Sequence, residues 1–158
     1  MTDFSALYTK YAPDVFRFAM YLTGNRAEAE DITSETFVRA WAAPEPIAMV
    51  TVKGYLLTIA RNLFLQELRK KSRAAPLDEN LRDPHPGPEA ATEKKAEYLA
   101  VMAGLQRLPE LDRAALLMSA LEGLPYGEIA QALGISLPAV KMKIHRSRLA
   151  LSRLEEPK

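Results

Sequence analysis

Apolar residues recur every three or four positions along most of this chain, which is the spacing of one face of an α-helix. The first such stripe runs from Phe4 to Leu22. Pro13 lies inside this stripe, so the sequence is compatible with one interrupted helix or with two successive helices. No stretch of useful length alternates between apolar and polar residues as a strand would. The pattern predicts an all-α protein.

The second predicted helix opens at Asn25, which has Glu28 three positions later, the spacing of a capping box. Ile32 and Phe37 lie on its inward face, and the helix ends at Trp41. Its outer face is acidic and carries Glu28, Asp31 and Glu35. The following residues, 44–50, contain two prolines and predict a loop.

The third predicted helix begins near Thr51. Its apolar side is formed by Val52, Tyr55, Leu56, Ile59, Ala60, Leu63 and Leu68. It ends in a basic run, Arg69, Lys70, Lys71 and Arg73, which suits the negative end of a helix dipole.

Residues 74–88 contain four prolines and one glycine among acidic residues. Such a segment buries too little apolar surface to order itself, so it predicts a flexible linker. The expected architecture is two small helical domains, at 1–73 and 89–158, joined by that linker. The second domain begins with a helix holding Tyr98, Met102 and Leu105, and another helix follows Pro109.

Residues 124–153 contain two short helical patterns that meet at a glycine. The first runs from Tyr126 to Leu133, and Gly134 can adopt the positive φ that ends a helix. Ser136 suits the N-cap of the next helix, and Pro138 lies in its first turn, where a missing N–H does little harm. This succession predicts a helix-turn-helix.

The second helix of this motif has an apolar side and a basic side. Val140, Ile144, Ser147 and Leu151 share the inward side. The segment 141–153 holds five Lys and Arg residues and no acidic residue. A cationic outer face on this helix suits the major groove and its phosphates. The plainer alternative is a helical hairpin with a solvated basic face.

Composition narrows the class of protein. The net charge is only +1, so the charge is segregated rather than globally basic. The chain has no cysteine, and its two histidines lack metal-site spacing, which argues against disulfides and bound metal. No apolar run approaches the roughly 20 residues of a membrane span, and the N-terminal residues do not resemble a signal peptide. We expect a cytoplasmic protein without membrane insertion.

Four stretches together resemble the extracytoplasmic-function group of bacterial RNA polymerase sigma factors. They are AEAEDITSETFVRAW (27–41), KGYLLTIARNLFLQELRKKSR (53–73), LQRLPELDRAALLMSALEGLPYGEIAQALGIS (105–136) and LPAVKMKIHRSRLAL (137–151). The resemblance implies a transcription initiation factor that binds core RNA polymerase and recognises promoter −10 and −35 elements. It also implies no catalysis, no cofactor and regulation by an anti-sigma factor.

The resemblance assigns roles to individual residues. Contacts with the β′ clamp helices of polymerase are implied for Glu28, Asp31 and Glu35. Recognition and melting of the −10 element are implied for Lys53, Arg61, Asn62, Gln66, Arg69, Lys70 and Arg73. Recognition of the −35 element is implied for Ser136, Lys141, Met142, Lys143, His145, Arg146 and Arg148. The β flap is the second expected polymerase contact, and the loop 44–50 is expected to form a base-specificity pocket.

Some positions depart from the family pattern. Met142 stands where Arg or Ser is frequent, which suggests apolar contact with a thymine methyl group. Pro125 stands where a serine commonly caps the next helix, and Ser34 where glutamine is common. Tyr55, Phe64 and Trp41 are expected to be core aromatics more often than base-stacking ones.

Two other classes of function are alternatives to a sigma factor. A stand-alone helix-turn-helix regulator would use its N-terminal domain to sense a ligand or dimerise. The basic end of the third helix favours a second DNA site instead. An enzyme is disfavoured because the sequence has no phosphate-binding glycine loop, nucleophile elbow or paired His/carboxylate motif.

Overall fold

The computed structural model describes residues 4–43, 51–73 and 93–153. The predicted loop at 44–50 and the predicted linker at 74–88 lie outside the described residues. The helices are α1 Phe4–Thr23, α2 Arg26–Ala42, α3 Val52–Arg73, α4 Glu93–Arg107, α5 Glu110–Leu116, α6 Tyr126–Leu133 and α7 Leu137–Ser152. A π-helical turn, Leu117–Leu121, continues α5. Within the described ranges there is no strand, which confirms the all-α prediction.

Helix α1 is continuous through Pro13, so the alternative of two successive helices is wrong. Proline removes the amide that would bond to the carbonyl of Thr9, four residues earlier. Both residues lie on the exposed side of α1, where water can satisfy that carbonyl. The opposite side of α1 buries Val15, Phe18 and Leu22.

The N-terminus of α2 contains half of the predicted capping box. The Asn25 side chain accepts the Glu28 backbone amide at 2.9 Å. The return bond of the box is not made, because the Glu28 carboxylate binds Lys71 of α3 instead. The Asn25 amide donates to the Thr23 hydroxyl at 3.0 Å. Asn25 therefore joins the start of α2 to the end of α1, and the Glu28 side chain joins it to the end of α3.

Several residues predicted to face the core lie nearer the surface. Val52 is the first residue of α3, and Leu68 lies beyond Phe64, the last buried residue of that helix; both are exposed. Tyr98 is also exposed, and its ring packs edge-on against Tyr21 at 6.1 Å between centroids. These corrections concern the ends and edges of helices, where the apolar stripe continues beyond the part that packs against a neighbouring helix.

The C-terminal helices, α4–α7, pack directly on the N-terminal helices, α1–α3. Helix α1 contacts α4, α5 and the π turn, and α3 contacts α6. Buried residues of both groups, such as Leu22, Leu57, Leu105 and Ala114, belong to one hydrophobic cluster. The two groups of helices therefore share a core. None of the described helices is long and apolar enough to cross a membrane.

Candidate nucleic-acid interface

Helices α6 and α7 form the predicted helix-turn-helix. Gly134 ends α6 with φ 69° and ψ 35°, and the Ile135 amide donates to the Ala130 carbonyl at 3.1 Å. Ser136 is the N-cap of α7, and its hydroxyl accepts the Ala139 amide at 3.2 Å. Pro138 lies in the first turn. Each of these local predictions is confirmed, including the helix bounds Tyr126–Leu133.

The start of α6 lacks a side-chain cap, as the proline at its N-cap position requires. Pro125 makes no capping hydrogen bond, and the Ile129 amide donates to its carbonyl at 3.0 Å. Proline is therefore compatible with this helix start. Glu128, in the first turn, is buried and accepts a hydrogen bond from the Thr51 hydroxyl before α3.

The outward side of α7 is open to solvent. Val140, Ile144 and Ser147 are buried, as predicted, and the residues opposite them are exposed. The exposed predicted DNA residues are Ser136, Lys141, Met142, His145, Arg146 and Arg148. Met142 is 64% exposed, an unusual fraction for a large apolar side chain. This side of α7 is therefore accessible to a binding partner.

Two predicted phosphate contacts, Lys143 and Arg146, are paired with one buried carboxylate on α5. Arg146 donates from Nε to Asp112 Oδ2 at 2.8 Å and from Nη2 to Oδ1 at 3.0 Å. Lys143 Nζ lies 3.4 Å from Asp112 Oδ1. The Asp112 carboxylate therefore holds both cations beside α5, next to the exposed side of α7.

Asp112 is ionised despite its burial. Burial alone would raise its pKa, but the hydrogen bond from Arg146 and the charges of Arg146 and Lys143 outweigh it and lower the pKa. Sequence reasoning missed this residue. Its place after Pro109, in the first turn of a helix, could have been recognised, because the helix dipole favours a carboxylate there. Its partners Lys143 and Arg146 lie 31 and 34 positions later in the chain, and no local pattern identifies them.

The predicted −10 residues of α3 divide between two sides of the helix. Asn62, Arg69, Lys70 and Arg73 are exposed, and Gln66 is half-buried. Lys70 pairs with Glu67 at 3.7 Å. These residues form an accessible polar and cationic strip along the C-terminal part of α3.

Lys53 and Arg61 instead face the C-terminal helices. Arg61 makes two hydrogen bonds to Glu110 of α5, from Nε at 2.7 Å and from Nη2 at 2.8 Å. Lys53 Nζ lies 3.2 Å from Glu122 Oε1 and 3.7 Å from Asp14 Oδ2. Both cations are therefore occupied by carboxylates in this arrangement. No local sequence pattern predicts these pairings, because the partners are far apart along the chain.

An open groove runs between α2 and α3, and its lining holds four carboxylates, two cations (Arg39 and Lys70) and several apolar side chains. Glu28, Asp31 and Glu35 line it together with Ile32 and Val38. Ser34, Leu63, Gln66 and Lys70 are also in the lining. The three carboxylates predicted to contact polymerase thus lie together. Glu35 pairs with Arg39 of the same helix at 3.1 Å.

The three candidate aromatics differ in burial. Phe64 is buried and Tyr55 is half-buried, in keeping with core packing. Trp41 is 63% exposed, so the expectation that it belongs to the core is wrong. It lies in the last turn of α2 and packs edge-on against Phe4 at 4.9 Å between ring centroids, which leaves most of the indole in solvent.

The sequence profiles of two known families match the two groups of helices. Sigma-70 region 2 matches residues 7–74, and Sigma-70, region 4 matches residues 98–151. The ECF RNA polymerase sigma factor SigL of Mycobacterium tuberculosis is 32% identical over 150 residues, covering 92% of this chain and 85% of SigL. This chain belongs to the ECF sigma factors of RNA polymerase. That membership does not favour the stand-alone regulator.

Other relatives support the same family. The ECF sigma factor SigE of Mycolicibacterium smegmatis is 35% identical over 96% of this chain, and the chain spans 61% of the length of SigE. A structure of the sigma factor RpoE with the anti-sigma factor NepR from Bartonella quintana superposes with a TM-score of 0.81. The likeness covers 98% of this chain and 97% of RpoE at 24% identity, and it shows that the fold is shared.

Proposed function

We propose that this sigma factor binds core RNA polymerase and directs it to promoters by contacting the −10 and −35 elements with separate helices. One observation supports this proposal above the others. A single chain carries an exposed recognition helix, α7, a second cationic strip on α3, and an acidic groove between α2 and α3. Two nucleic-acid surfaces and a surface of opposite charge suit a protein that joins DNA to a third partner.

For the −35 element, the proposed contacts are those of the exposed side of α7. Lys141, Met142 and His145 are proposed to meet base edges, with Met142 against a thymine methyl group. Ser136, Lys143, Arg146 and Arg148 are proposed to hold phosphates. Arg146 can serve this role while it is paired, because 56% of its side chain is exposed and Asp112 accepts from only Nε and Nη2 of the guanidinium.

For the −10 element, the proposed contacts are the exposed Asn62, Arg69, Lys70 and Arg73 together with Gln66, Lys53 and Arg61. Cations on α3 would hold the separated strands by their phosphates. The proposed base-specificity pocket at 44–50 and the proposed division into domains at 1–73 and 89–158 stay predictions.

For polymerase, the proposed contact is the groove between α2 and α3. Asp31 is exposed, and no salt-bridge partner for it occurs among the described residues. Its charge is thus available to a basic partner such as the β′ clamp helices, and Ile32 and Val38 supply apolar contact. A further contact of the C-terminal helices with the β flap is proposed from the family alone.

The factor itself is proposed to be non-catalytic and cytoplasmic, as the family implies, and to be regulated by an anti-sigma factor. The similar RpoE structure is a complex with such a protein, NepR, which supports this class of regulator.

Transcription with core bacterial RNA polymerase tests the function directly. Sheared genomic DNA serves as template, and the 5′ ends of the transcripts are sequenced with and without the factor. We expect discrete start sites that need the factor and share two upstream elements. No new start sites, together with no co-purification with core polymerase, would overturn the proposal.

The acidic groove has its own test. We expect Asp31→Ala with Glu35→Ala to weaken binding to core polymerase by about tenfold, because two charges leave the proposed contact. Glu30→Ala with Glu97→Ala is the matched control, since it removes the same charge from exposed positions outside the groove. If the groove variant instead weakens only binding to isolated promoter DNA, the role of the groove is wrong.

A further inference from the structure

A buried carboxylate and an exposed guanidinium form a two-point ion pair at the contact between α5 and α7. The Asp112 side chain is 2% exposed, whereas the Arg146 side chain that it binds is 56% exposed. The hydrogen bonds run from Nε at 2.8 Å and from Nη2 at 3.0 Å to the two carboxylate oxygens. Such a pair fixes the direction of the guanidinium plane as well as its position.

Asp112 is itself held by other contacts with α7. The Ser147 hydroxyl donates to its backbone carbonyl at 3.4 Å, and Lys143 Nζ lies 3.4 Å from its Oδ1. Asp112 therefore meets three neighbouring residues on one side of α7. All of these residues belong to the C-terminal helices, so the pair does not depend on the packing of α1–α3.

The cations of α7 thus differ in how freely they can meet a phosphate. Lys141 and Arg148 are exposed, and neither forms an ion pair within the part of the chain that the structure describes. Arg146 is held at two points, and Nη1 is the guanidinium nitrogen that Asp112 leaves for DNA. Phosphates occur along every duplex whatever its sequence. A cation that is free to move can therefore follow them in many registers, and a held cation cannot.

We propose that Asp112 is a specificity-determining residue for the −35 element, because it limits Arg146 to a phosphate that lies within reach only when α7 is in its sequence-specific register. The inference rests on the proposed function, which assigns Arg146 to a phosphate of that element. In this register Nη1 makes the contact while the pair with Asp112 stays intact. In other registers the held guanidinium contributes less, which widens the gap between specific and nonspecific affinity.

The test uses holoenzyme, formed from the full chain and core polymerase, and two labelled duplexes. One duplex is a promoter mapped by factor-dependent transcription, and the other is the same promoter with its −35 element scrambled. Fluorescence anisotropy gives a dissociation constant for each duplex at several salt concentrations. The specificity ratio is the dissociation constant for the scrambled duplex divided by that for the mapped promoter.

We expect Asp112→Asn to lower the specificity ratio about fivefold, because the released Arg146 gains a phosphate contact on the scrambled duplex alone. The added positive charge strengthens binding to both duplexes and cancels from the ratio. The slope of log affinity against log salt should become steeper by about 0.9 on the scrambled duplex and stay unchanged on the mapped promoter. A purely structural role for Asp112 would instead weaken binding to both duplexes and leave both slopes unchanged.

Two further variants separate orientation from charge. Glu97→Gln removes an exposed carboxylate from α4, leaves the pair intact, and should not change the ratio. Arg146→Lys keeps the charge of α7 but lacks the planar fork that Asp112 binds. It should lower the ratio at least about twofold by itself, and adding Asp112→Asn to it should lower the ratio by less than about a further twofold.

Urea unfolding first establishes that each variant is folded under the assay conditions. In folded Asp112→Asn, an unchanged ratio overturns the inference, as does an equal loss of affinity for both duplexes. A full effect of Asp112→Asn in the Arg146→Lys background overturns it as well. If Asp112→Asn does not fold, Arg146→Lys decides alone, and an unchanged ratio there overturns the inference. The absence of any factor-dependent promoter overturns the proposed function, whereas a mapped promoter with an unaffected ratio overturns the inference alone.

Discussion

At the scale of a residue, Asp112 makes the side-chain contacts that hold α5 against α7. It lies in the first turn of α5, where the helix dipole favours a negative charge. It also joins α5 to α7 through Arg146 and Lys143, and the Ser147 hydroxyl donates to its backbone carbonyl at 3.4 Å. A residue that is itself buried thus holds α7 against α5.

We expect Asp112→Asn to lower the free energy of unfolding by about 1–3 kcal/mol at neutral pH, because charge-assisted hydrogen bonds are lost from a buried group. The pKa of Asp112 is lowered in the folded protein, so its stabilisation is complete above the ordinary aspartate pKa of about 3.9 and is lost as pH falls through the lower folded value. Urea unfolding at several pH values measures this.

The matched control for that measurement is Glu97→Gln, an exposed carboxylate on α4. The difference in stability between the unsubstituted protein and Asp112→Asn should stay constant from pH 7 to about 5 and shrink below about 4. A difference that grows on acidification would contradict the assigned direction of the pKa.

At the scale of elements, local sequence signals predicted the helix-turn-helix because each determinant lies within a few residues of its effect. Gly134, Ser136 and Pro138 act on their own turn, and all three behave as predicted. The π turn was not predicted, because Leu117–Leu121 contains no glycine or proline to mark a change of helix type. The continuity of α1 through Pro13 likewise depends on which side of the helix meets solvent.

Gly24, between α1 and α2, is constrained twice. Its φ is +71°, which side-chain-bearing residues rarely adopt. A Cβ there would also lie 2.9 Å from Gln106 Cδ of α4, and Gln106 donates to the Tyr21 carbonyl at 3.0 Å. Gly134 has a similar φ of +69° but open space around the position of a Cβ. Comparing substitutions at the two glycines therefore separates the effect of backbone strain from the effect of the contact with Gln106.

We expect Gly134→Ala to reduce the free energy of unfolding by about 1–2 kcal/mol through strain alone. Gly24→Ala should reduce it further, because Gln106 must also move. Urea unfolding is measured for both variants and for each glycine variant combined with Gln106→Ala. The excess is the loss of stability in Gly24→Ala beyond that in Gly134→Ala. The excess should disappear in the Gln106→Ala background, as a double-mutant cycle requires. Equal losses for the two single variants would show that the contact with Gln106 is unimportant.

At the scale of the whole molecule, the sequence predicted two groups of helices and the charge on each, but not their pairing. Arg61 and Glu110 are 49 residues apart, and Arg17 and Glu122 are 105 apart. From its local sequence alone, each of these four residues would be predicted to be a solvated charge on the surface of a helix. Periodicity assigns a residue to a face of its own helix, and only the packing of helices decides what that face meets. The outward side of α7 could be predicted because most of it meets solvent.

Arg113 connects the two groups of helices by a side-chain hydrogen bond, since it reaches from α5 to the Leu22 carbonyl in the last turn of α1. Its guanidinium also lies over the Phe64 ring of α3, 5.9 Å from the centroid. Arg113→Ala therefore removes contacts with two N-terminal helices at once, and it leaves the Leu22 carbonyl without this donor. Apart from the hydrogen bond to the Leu108 carbonyl, the loss falls on the interface between the two groups of helices.

We expect the unsubstituted protein to unfold in one calorimetric transition, because both groups share a hydrophobic cluster. Arg113→Ala should lower the free energy of unfolding by about 2–3 kcal/mol and broaden or split the transition, so that the calorimetric enthalpy exceeds the van't Hoff enthalpy. Arg107→Ala, an exposed arginine in the last turn of α4, is the control and should retain one transition. A single, equally cooperative transition in Arg113→Ala would mean that the groups are coupled by the apolar core alone, with Arg113 contributing only to the stability of α5.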